Sequence, residues 1–258
     1  MSQNGDEQEV SRTLFELAST RRATILFGVQ KSNLKMQQIA KSFDMTLTET
    51  FRHLQRLSEA SLIEKKPDGT YSITPLGNLA AGFLEGFNFV LDNKKYFLEH
   101  DPSCLPYDFV NRLGELSNSK FYGSVLASFN KVRQMVFDAQ EYIWVIADQI
   151  DSSHTQITNQ KVAKGLEFKF IMQEDLTKVL EVAPDFERFK KRRCLLQIPL
   201  AILINETEAF VALRGTNGTI DYCGFVSADE RFRKWAKDIF TYYWEKANPW
   251  FPNHAKEK

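Results

Sequence analysis

Arg52 and Arg56 stand one helical turn apart in a segment whose apolar residues recur at helical spacing. The apolar stripe, which we expect to be buried, consists of Leu47, Phe51, Leu54 and Leu57. At about 100° per residue, the opposite polar face centres on Glu49, Arg52 and Arg56, with Thr48, His53 and Gln55 at its flanks. Arginine can bond guanine edges, glutamine can bond adenine edges, and threonine can bond either bases or phosphates.

Two short helices joined by a turn are predicted to position these side chains. The first covers residues 35–43, and the second begins at Thr46. Thr46 and Glu49 form a T-x-x-E capping box, in which each side chain satisfies an orphan backbone N–H. Glu49 can therefore be interpreted either as part of the outward polar face or as a helix cap only. His53 is interpreted as a phosphate contact or a solvent-facing residue, since no cysteine or second histidine lies at metal-ligand spacing.

A hairpin follows the second helix. Residues 62–66 and 70–74 are predicted strands joined by Pro67-Asp68-Gly69, in which proline fixes φ, Asp68 bonds its own backbone and glycine allows a positive φ. Two short amphipathic helices alone would fit a small helical core with a solvated polar face. The helix cap and the basic hairpin instead favour a winged helix-turn-helix, which reads a DNA groove.

The candidate contacts to double-stranded DNA are Thr46, Thr48, Glu49, Arg52, His53, Gln55, Arg56, Lys65, Lys66 and Thr70. The whole chain has 33 basic and 33 acidic residues, so no global basic field attracts it to nucleic acid. Residues 19–75 carry nine Lys or Arg against five Asp or Glu, a local net charge of +4. This charge suits a few phosphate contacts, which predicts moderate affinity per subunit and two subunits on one site.

Two long helical patterns flank this module, at residues 10–30 and 75–100. The second pattern is more apolar than one small winged domain requires, and the surplus predicts a subunit interface in a homodimer. Residues 101–106 contain two prolines and are the predicted break between domains. We therefore expect a winged helix-turn-helix DNA-binding domain with a dimerisation helix at residues 1–100, and a sensor or effector domain at residues 101–258.

The second half alternates strand and helix patterns, which predicts an α/β domain with a mixed sheet. The predicted strands are residues 142–147, 166–170, 200–204, 209–213 and 219–225. The predicted helices are residues 109–115, 120–140, 152–164 and 176–193, and Asp229 is expected to cap a last helix.

The sequence gives no indication of an enzyme. It contains no G-x-S-x-G, no phosphate loop and no H-E-x-x-H motif. Cys104, Cys194 and Cys223 are odd in number and far apart, which favours free thiols over disulfides or a zinc site. We expect no cofactor and no metal ion.

The chain has no apolar run of 18 residues, so no membrane span is expected. Residues 1–9 are polar and acidic and lack the basic start and apolar centre of a signal peptide. These features predict a cytoplasmic protein.

A small-molecule site is expected near the end of the strand at residues 142–147. Buried strand ends present side chains into crevices, where a few polar groups among apolar walls can hold a ligand. Trp144 would supply an aromatic wall, with Asp148, Arg214 and Asp221 as polar anchors. Trp144 also fits a purely structural place in the core.

Four local signatures resemble a known family. Residues 34–77 resemble an ArsR-type winged helix-turn-helix, and residues 104–116 resemble the start of the sensor domain of archaeal regulators. Residues 139–144 resemble the strand entry of that domain, and residues 229–244 resemble its closing helix, which is the most specific motif. Over residues 20–247 the chain is similar to archaeal transcriptional regulators whose middle domain was first named for a methanogenesis regulator.

The resemblance implies a homodimeric repressor or activator with a C-terminal sensing domain. Related archaeal regulators carry sensor domains that look like a phospholipase D fold, whose enzymes need H-x-K motifs. His154 is followed by Thr155 and Gln156, so the resemblance implies this fold without the hydrolase. The sequence favours a DNA-binding regulator that senses a small ligand or a partner. The alternative is a winged-helix protein that assembles protein complexes without binding DNA.

Overall fold

The computed structural model describes residues 3–149, 155–176 and 192–250. It divides into two compact units, Met1–Glu85 and Gly86–Lys258. The division falls inside the long helix Pro75–Asp92, whereas the sequence placed it at residues 100 and 101. The difference arises because Phe89 and Tyr96 pack into the core of the second unit, together with Leu105 from the proline-containing segment.

The first unit combines helices with a small antiparallel sheet. Its elements are α1 Gln3–Leu17, α2 Thr20–Lys31, β1 Leu34–Lys35, α3 Met36–Ser42, α4 Leu47–Glu59, β2 Ile63–Lys65 and β3 Thr70–Ile73, followed by the start of α5, Pro75–Asp92. The strands lie in the order β1-β3-β2. Helices α3 and α4 and the β2–β3 hairpin confirm the predicted winged helix-turn-helix fold, while β1 is an additional strand.

The predicted helix over residues 10–30 is two helices. Ser19 caps α2, its hydroxyl accepting from the Arg22 amide at 3.5 Å. The Arg22 guanidinium donates to the carbonyl oxygens of Glu16 at 2.6 Å and Phe15 at 2.9 Å. These bonds satisfy carbonyls that the last turn of α1 leaves without helical partners, and they stabilise the break.

The apolar stripe predicted for α4 is half wrong. Leu54 and Leu57 are buried as expected, but Leu47 is 50 % exposed and Phe51 is 54 % exposed. Thr50 is buried in their place, and its hydroxyl donates to the Thr46 carbonyl at 2.8 Å. Because this bond satisfies the hydroxyl inside the helix, a polar residue can face the core, and the outward face rotates towards Leu47 and Phe51.

The second unit is a mixed α/β domain. After the end of α5 its elements are α6 Lys94–Glu99, α7 Tyr107–Val110, β4 Lys120–Tyr122, α8 Val125–Asp138, β5 Tyr142–Ala147, α9 Thr155–Ala163, β6 Glu167–Gln173, β7 Arg192–Leu195, β8 Leu200–Ile204, β9 Ala209–Leu213, β10 Gly224–Ser227, α10 Glu230–Lys246 and β11 Asn248–Pro249. The sheet order is β11-β7-β6-β5-β8-β9-β10-β4. The β5–β6 and β6–β7 pairs are parallel and the other pairs are antiparallel.

Helix α10 supplies much of the core of this unit. Asp229 caps it as predicted, accepting from the Arg231 amide at 2.9 Å and the Phe232 amide at 3.3 Å. Trp235 is fully buried, and its indole N–H donates to the Phe109 carbonyl at 3.1 Å. The predicted strands β5, β8 and β9 are confirmed at their full lengths.

Several predicted elements need correction. The helix predicted over residues 75–100 is two helices, α5 and α6. The helix predicted over residues 109–115 is interrupted, because α7 ends at Val110 and a separate 3-10 helix covers Leu113–Leu116.

Residues 120–122 do not begin the helix predicted over residues 120–140. They form β4, which pairs with β10. The strand predicted at residues 219–225 begins only at Gly224. Arg192 and Arg193, at the end of the helix predicted over residues 176–193, lie in β7, where the Arg192 guanidinium stands 5.1 Å from the Trp250 ring. Residues 177–191 of that predicted helix, and His154, lie outside the described residues.

Within the described ranges, none of the helices is both long and apolar enough to cross a membrane.

Candidate nucleic-acid interface

The start of α4 is fixed by Thr46, whose hydroxyl accepts from the Glu49 amide at 3.2 Å. This is one half of the predicted capping box. The Glu49 carboxylate instead lies 3.6 Å from His53 Nε2 and 3.9 Å from Arg21 Nε. Glu49 and His53 are therefore partners on the flank of the helix that leads towards α2.

Five neighbouring residues form what we call the outer face of α4: Leu47, Thr48, Phe51, Arg52 and Gln55, all of them exposed. The side chains of Thr48 and Arg52 have no hydrogen-bond or ion-pair partner among the residues that the structure describes. The Gln55 amide donates to the Glu59 carboxylate at 2.9 Å. The outer face thus offers one unpaired guanidinium, a hydroxyl, an amide and two large apolar side chains.

Arg56 does not belong to this free surface. Its Nε donates to Glu16 Oε2 at 2.9 Å and its Nη2 to Glu16 Oε1 at 2.5 Å, a bidentate pair with α1. Arg22 Nε lies 3.1 Å from the same carboxylate. Hydrogen bonding by Arg56, together with the charges of Arg22 and Arg56, holds the pKa of the Glu16 carboxyl below its usual value. In this structure Arg56 links α4 to α1.

A cavity of about 500 Å³ lies beside this ion pair. It is lined by Gln8, Ser11, Arg12 and Phe15 of α1 and by Arg56 and Glu59 of α4, among others. The Phe15 ring centroid is 5.7 Å from the Arg56 guanidinium carbon, so the guanidinium has an aromatic neighbour as well as an ionic one.

The β2–β3 hairpin, which we call the wing, has the predicted turn. Asp68 accepts from the Thr70 amide at 2.9 Å and from the Thr70 hydroxyl at 2.7 Å, and Gly69 has a φ of +82°. The side chain of Lys65 is exposed and has no bonded partner among the described residues, whereas Lys66 Nζ lies 2.6 Å from Glu64. Of the two predicted wing lysines, Lys65 is the free one.

Two basic residues near this surface were not among the predicted DNA contacts. Lys35 is in β1, where it pairs with Thr70. Its charge helps lower the pKa of Asp68 at the wing tip, after the hydrogen bonds from Thr70. Arg21 donates to the Phe43 carbonyl at 2.8 Å, close to the turn between α3 and α4. A two-residue strand has no periodicity, so only the positive charge of Lys35 could have indicated its position. The contact of Arg21 is with a residue 22 positions away, which local spacing does not reveal.

The predicted ligand residues of the second unit separate into two places. Because β5 and β9 are both antiparallel to β8, these two strands run in the same direction. Asp148 and Arg214 follow their carboxyl ends, which lie along the same end of the sheet. Asp221 lies in the loop that follows β9, where its Oδ1 is 3.1 Å from His100 Nε2. Trp144 instead packs beneath α10, with its ring 5.1 Å from Phe240.

All of these polar groups already have partners. The Arg214 guanidinium donates to the carbonyls of Ile198 and Gly218. Asp148 accepts from the Tyr222 hydroxyl at 2.5 Å. Tyr222, which the sequence did not single out, has a φ of +59°, and burial followed by this carboxylate raises the pKa of its hydroxyl. A ligand at this edge would have to exchange some of these bonds.

The fold and these surfaces define a two-unit protein with an N-terminal winged helix-turn-helix and a C-terminal α/β domain. Residues 127–246, within the second unit, match the family described as "Methanogenesis regulatory protein FilR1, middle domain". No curated protein sequence matches the chain.

Solved structures with distant likeness include three proteins of different kinds. TrmBL2, described as an archaeal chromatin protein with a novel mode of DNA binding, is 18% identical with a TM-score of 0.44, over 88% of this chain and 92% of that chain. An O-methyltransferase family protein from Burkholderia thailandensis is 14% identical with a TM-score of 0.30, over 76% and 64%. IdeR of T. acidophilum is 12% identical with a TM-score of 0.25, over 82% and 99%. At these TM-scores the likenesses define neither the fold nor the function of this chain.

Proposed function

We propose that the protein is a transcriptional regulator that binds double-stranded DNA through the outer face of α4 and the wing. The observation that carries this proposal is the exposed, unpaired Arg52 beside Thr48 and Gln55 on the second helix of a winged helix-turn-helix. That helix lies in the major groove in proteins of this architecture, with its first turns against base edges. Lys65 on the wing adds a phosphate contact. The match of residues 127–246 to a domain of a regulatory protein supports the proposal. The finer ArsR-type assignment remains a prediction.

The regulator acts as a homodimer in this proposal. Helix α5 keeps an exposed apolar row at helical spacing, formed by Leu76, Leu79, Phe83, Phe87 and Leu91. Phe83 is 73% exposed and Phe87 is 59% exposed, so burial against a second copy would remove much apolar area from water. Pairing along α5 would place two α4 helices on one DNA site, which compensates for the small basic charge of each copy.

The second unit is proposed to sense a small-molecule effector beyond the carboxyl ends of β5 and β9, where Asp148, Arg214 and Asp221 lie. A thermal-shift screen of metabolites would test this site, with Asp148→Asn and Arg214→Gln as variants. A ligand that stabilises the wild type, and stabilises these variants several-fold less, supports the site. A ligand whose stabilisation survives both substitutions binds elsewhere.

A second candidate function is a protein-assembly factor that uses the winged unit for protein contact. The exposed Leu47 and Phe51 favour it, because apolar side chains on a helix face also suit a protein partner. The regulator is expected to bind double-stranded DNA, and the assembly factor is not.

Selection from a random duplex library with the full chain separates the two candidates. The regulator is expected to enrich a defined sequence, with an inverted repeat if it binds as a dimer, and with affinity that falls steeply with salt. Failure to enrich any duplex at low salt contradicts the regulator and favours the assembly factor.

A further inference from the structure

The outer face of α4 contains two large apolar side chains that the fold leaves exposed. Leu47 is the first residue of the helix, and Phe51 lies one turn later on the same face as Thr48. Thr50, Leu54 and Leu57 fill the core side of the helix. Leu47 and Phe51 therefore present apolar surface that a binding partner can contact.

Their position within the helix indicates what that partner is. In helix-turn-helix proteins, the N-terminal residues of the second helix are the ones that contact base edges in the major groove. Among the four bases, thymine presents an apolar group in that groove, its C5 methyl, and Phe is one of the side chains that contacts it. Leu47 and Phe51 occupy the first two turns, where such contacts are made.

The surrounding charges favour DNA over an apolar protein partner. Arg52 lies beside Phe51 on the outer face, Lys65 lies on β2 of the wing, and Lys35 lies on β1, which pairs with β3. This combination of apolar and basic groups complements a groove whose floor carries methyl groups and whose walls carry phosphates.

We propose that Leu47 and Phe51 determine specificity by packing against thymine methyl groups in the major groove. The proposal rests on the DNA-binding function proposed above and adds the base class that these two residues select. Arg52 reads a hydrogen-bonding edge, and its apolar neighbours require thymine at adjacent positions of the site.

Replacing thymine with deoxyuridine tests this directly, because the substitution removes only the methyl group and keeps the hydrogen-bonding edge. The probe is the duplex enriched by the random-library selection, synthesised with thymine or with deoxyuridine throughout the site. Fluorescence anisotropy at fixed salt gives the two dissociation constants for the wild type. Loss of one buried methyl corresponds to about 0.8 kcal/mol, or roughly fourfold in affinity.

The variants assign the effect to residues. The double variant Leu47→Ala/Phe51→Ala should bind both duplexes with equal affinity, since it lacks the side chains that contact the methyl groups. Phe137→Ala is the matched control, because Phe137 is 59% exposed on α8 in the second unit. It should retain the wild-type preference for thymine.

Each outcome decides one of the two claims. A wild type that binds the site but does not distinguish thymine from deoxyuridine overturns this inference and leaves the DNA-binding function standing. A double variant that keeps the full preference overturns it as well, as does an enriched site without thymine. Reduced self-association of the double variant, with unchanged thymine preference, would assign the two residues to a contact between copies. A wild type that binds no duplex refutes the proposed function itself.

Discussion

Glu16 is the residue on which the ion pairs between α1, α2 and α4 converge. Only 5% of it is exposed, and it receives both Arg22 and the bidentate Arg56. A buried carboxylate with two guanidinium partners holds its place only while its charge is compensated. Glu16 therefore links the orientation of α4 to the N-terminal helix of the same unit.

The substitution Glu16→Gln is expected to lower the free energy of unfolding by about 1–3 kcal/mol, because charge-assisted hydrogen bonds to both arginines are lost. Urea denaturation at neutral pH measures this difference, with the exposed Glu9→Gln on the same helix as control. A Glu16 variant as stable as the Glu9 control would show that the ion pairs contribute nothing.

The same substitution carries a pH dependence. The pKa of Glu16 in the folded chain is below its ordinary value of 4.5. Its contribution to stability is therefore complete above about pH 4.5 and is lost as the pH falls through the lowered pKa. The difference between wild type and Glu16→Gln should shrink on acidification. A difference that grows towards low pH would contradict this sign.

Arg52 and Arg56 could not be distinguished from sequence alone. Both are placed on the polar face by helical periodicity, and Arg52 is free as expected. The partner of Arg56 lies 40 residues away on α1, and local spacing contains no information about that contact. Charge pairing between distant elements depends on the tertiary fold, so the sequence identified the candidate interface but not which of its arginines is committed to the fold.

At the level of elements, the apolar strands of the second unit were predictable, as was the hairpin with its Pro-Asp-Gly turn, whereas short strands without such a turn were not. Strands β5, β8 and β9 are continuous apolar runs because neighbours cover them on both faces. Strands β1, β4 and β7 have two to four residues each, too few for an alternation to appear. Their pairing partners define them, and those partners are distant in sequence.

The wing is the element whose charge is expected to act without sequence preference. Lys65→Ala should weaken binding to all duplexes and lower the slope of log affinity against log salt by about one. Lys66→Ala should have a smaller effect, since Lys66 is paired with Glu64. Anisotropy titrations at several salt concentrations measure both slopes. A loss confined to one duplex sequence would mean that the wing reads bases.

At the level of the whole molecule, the apolar row of α5 predicts the oligomeric state. Phe83→Glu/Phe87→Glu should convert a dimer into a monomer, because two carboxylates cannot be buried against the apolar surface of a second copy. Light scattering at micromolar concentration measures the mass, with Phe137→Glu as the exposed control on α8. A monomeric wild type, or a double variant that remains dimeric, would exclude this face as the interface.

The central claim is that the outer face of α4 binds DNA. Its most direct test is the dissociation constant of the selected duplex, measured by anisotropy at one salt concentration for wild type, Arg52→Ala and Arg133→Ala. Arg133 is an exposed arginine on α8, so its variant removes the same charge elsewhere in the chain. Arg52→Ala is expected to cost about 1–3 kcal/mol, a weakening of roughly five- to 150-fold, while Arg133→Ala remains close to wild type. Equal affinities for the two variants would contradict the claim.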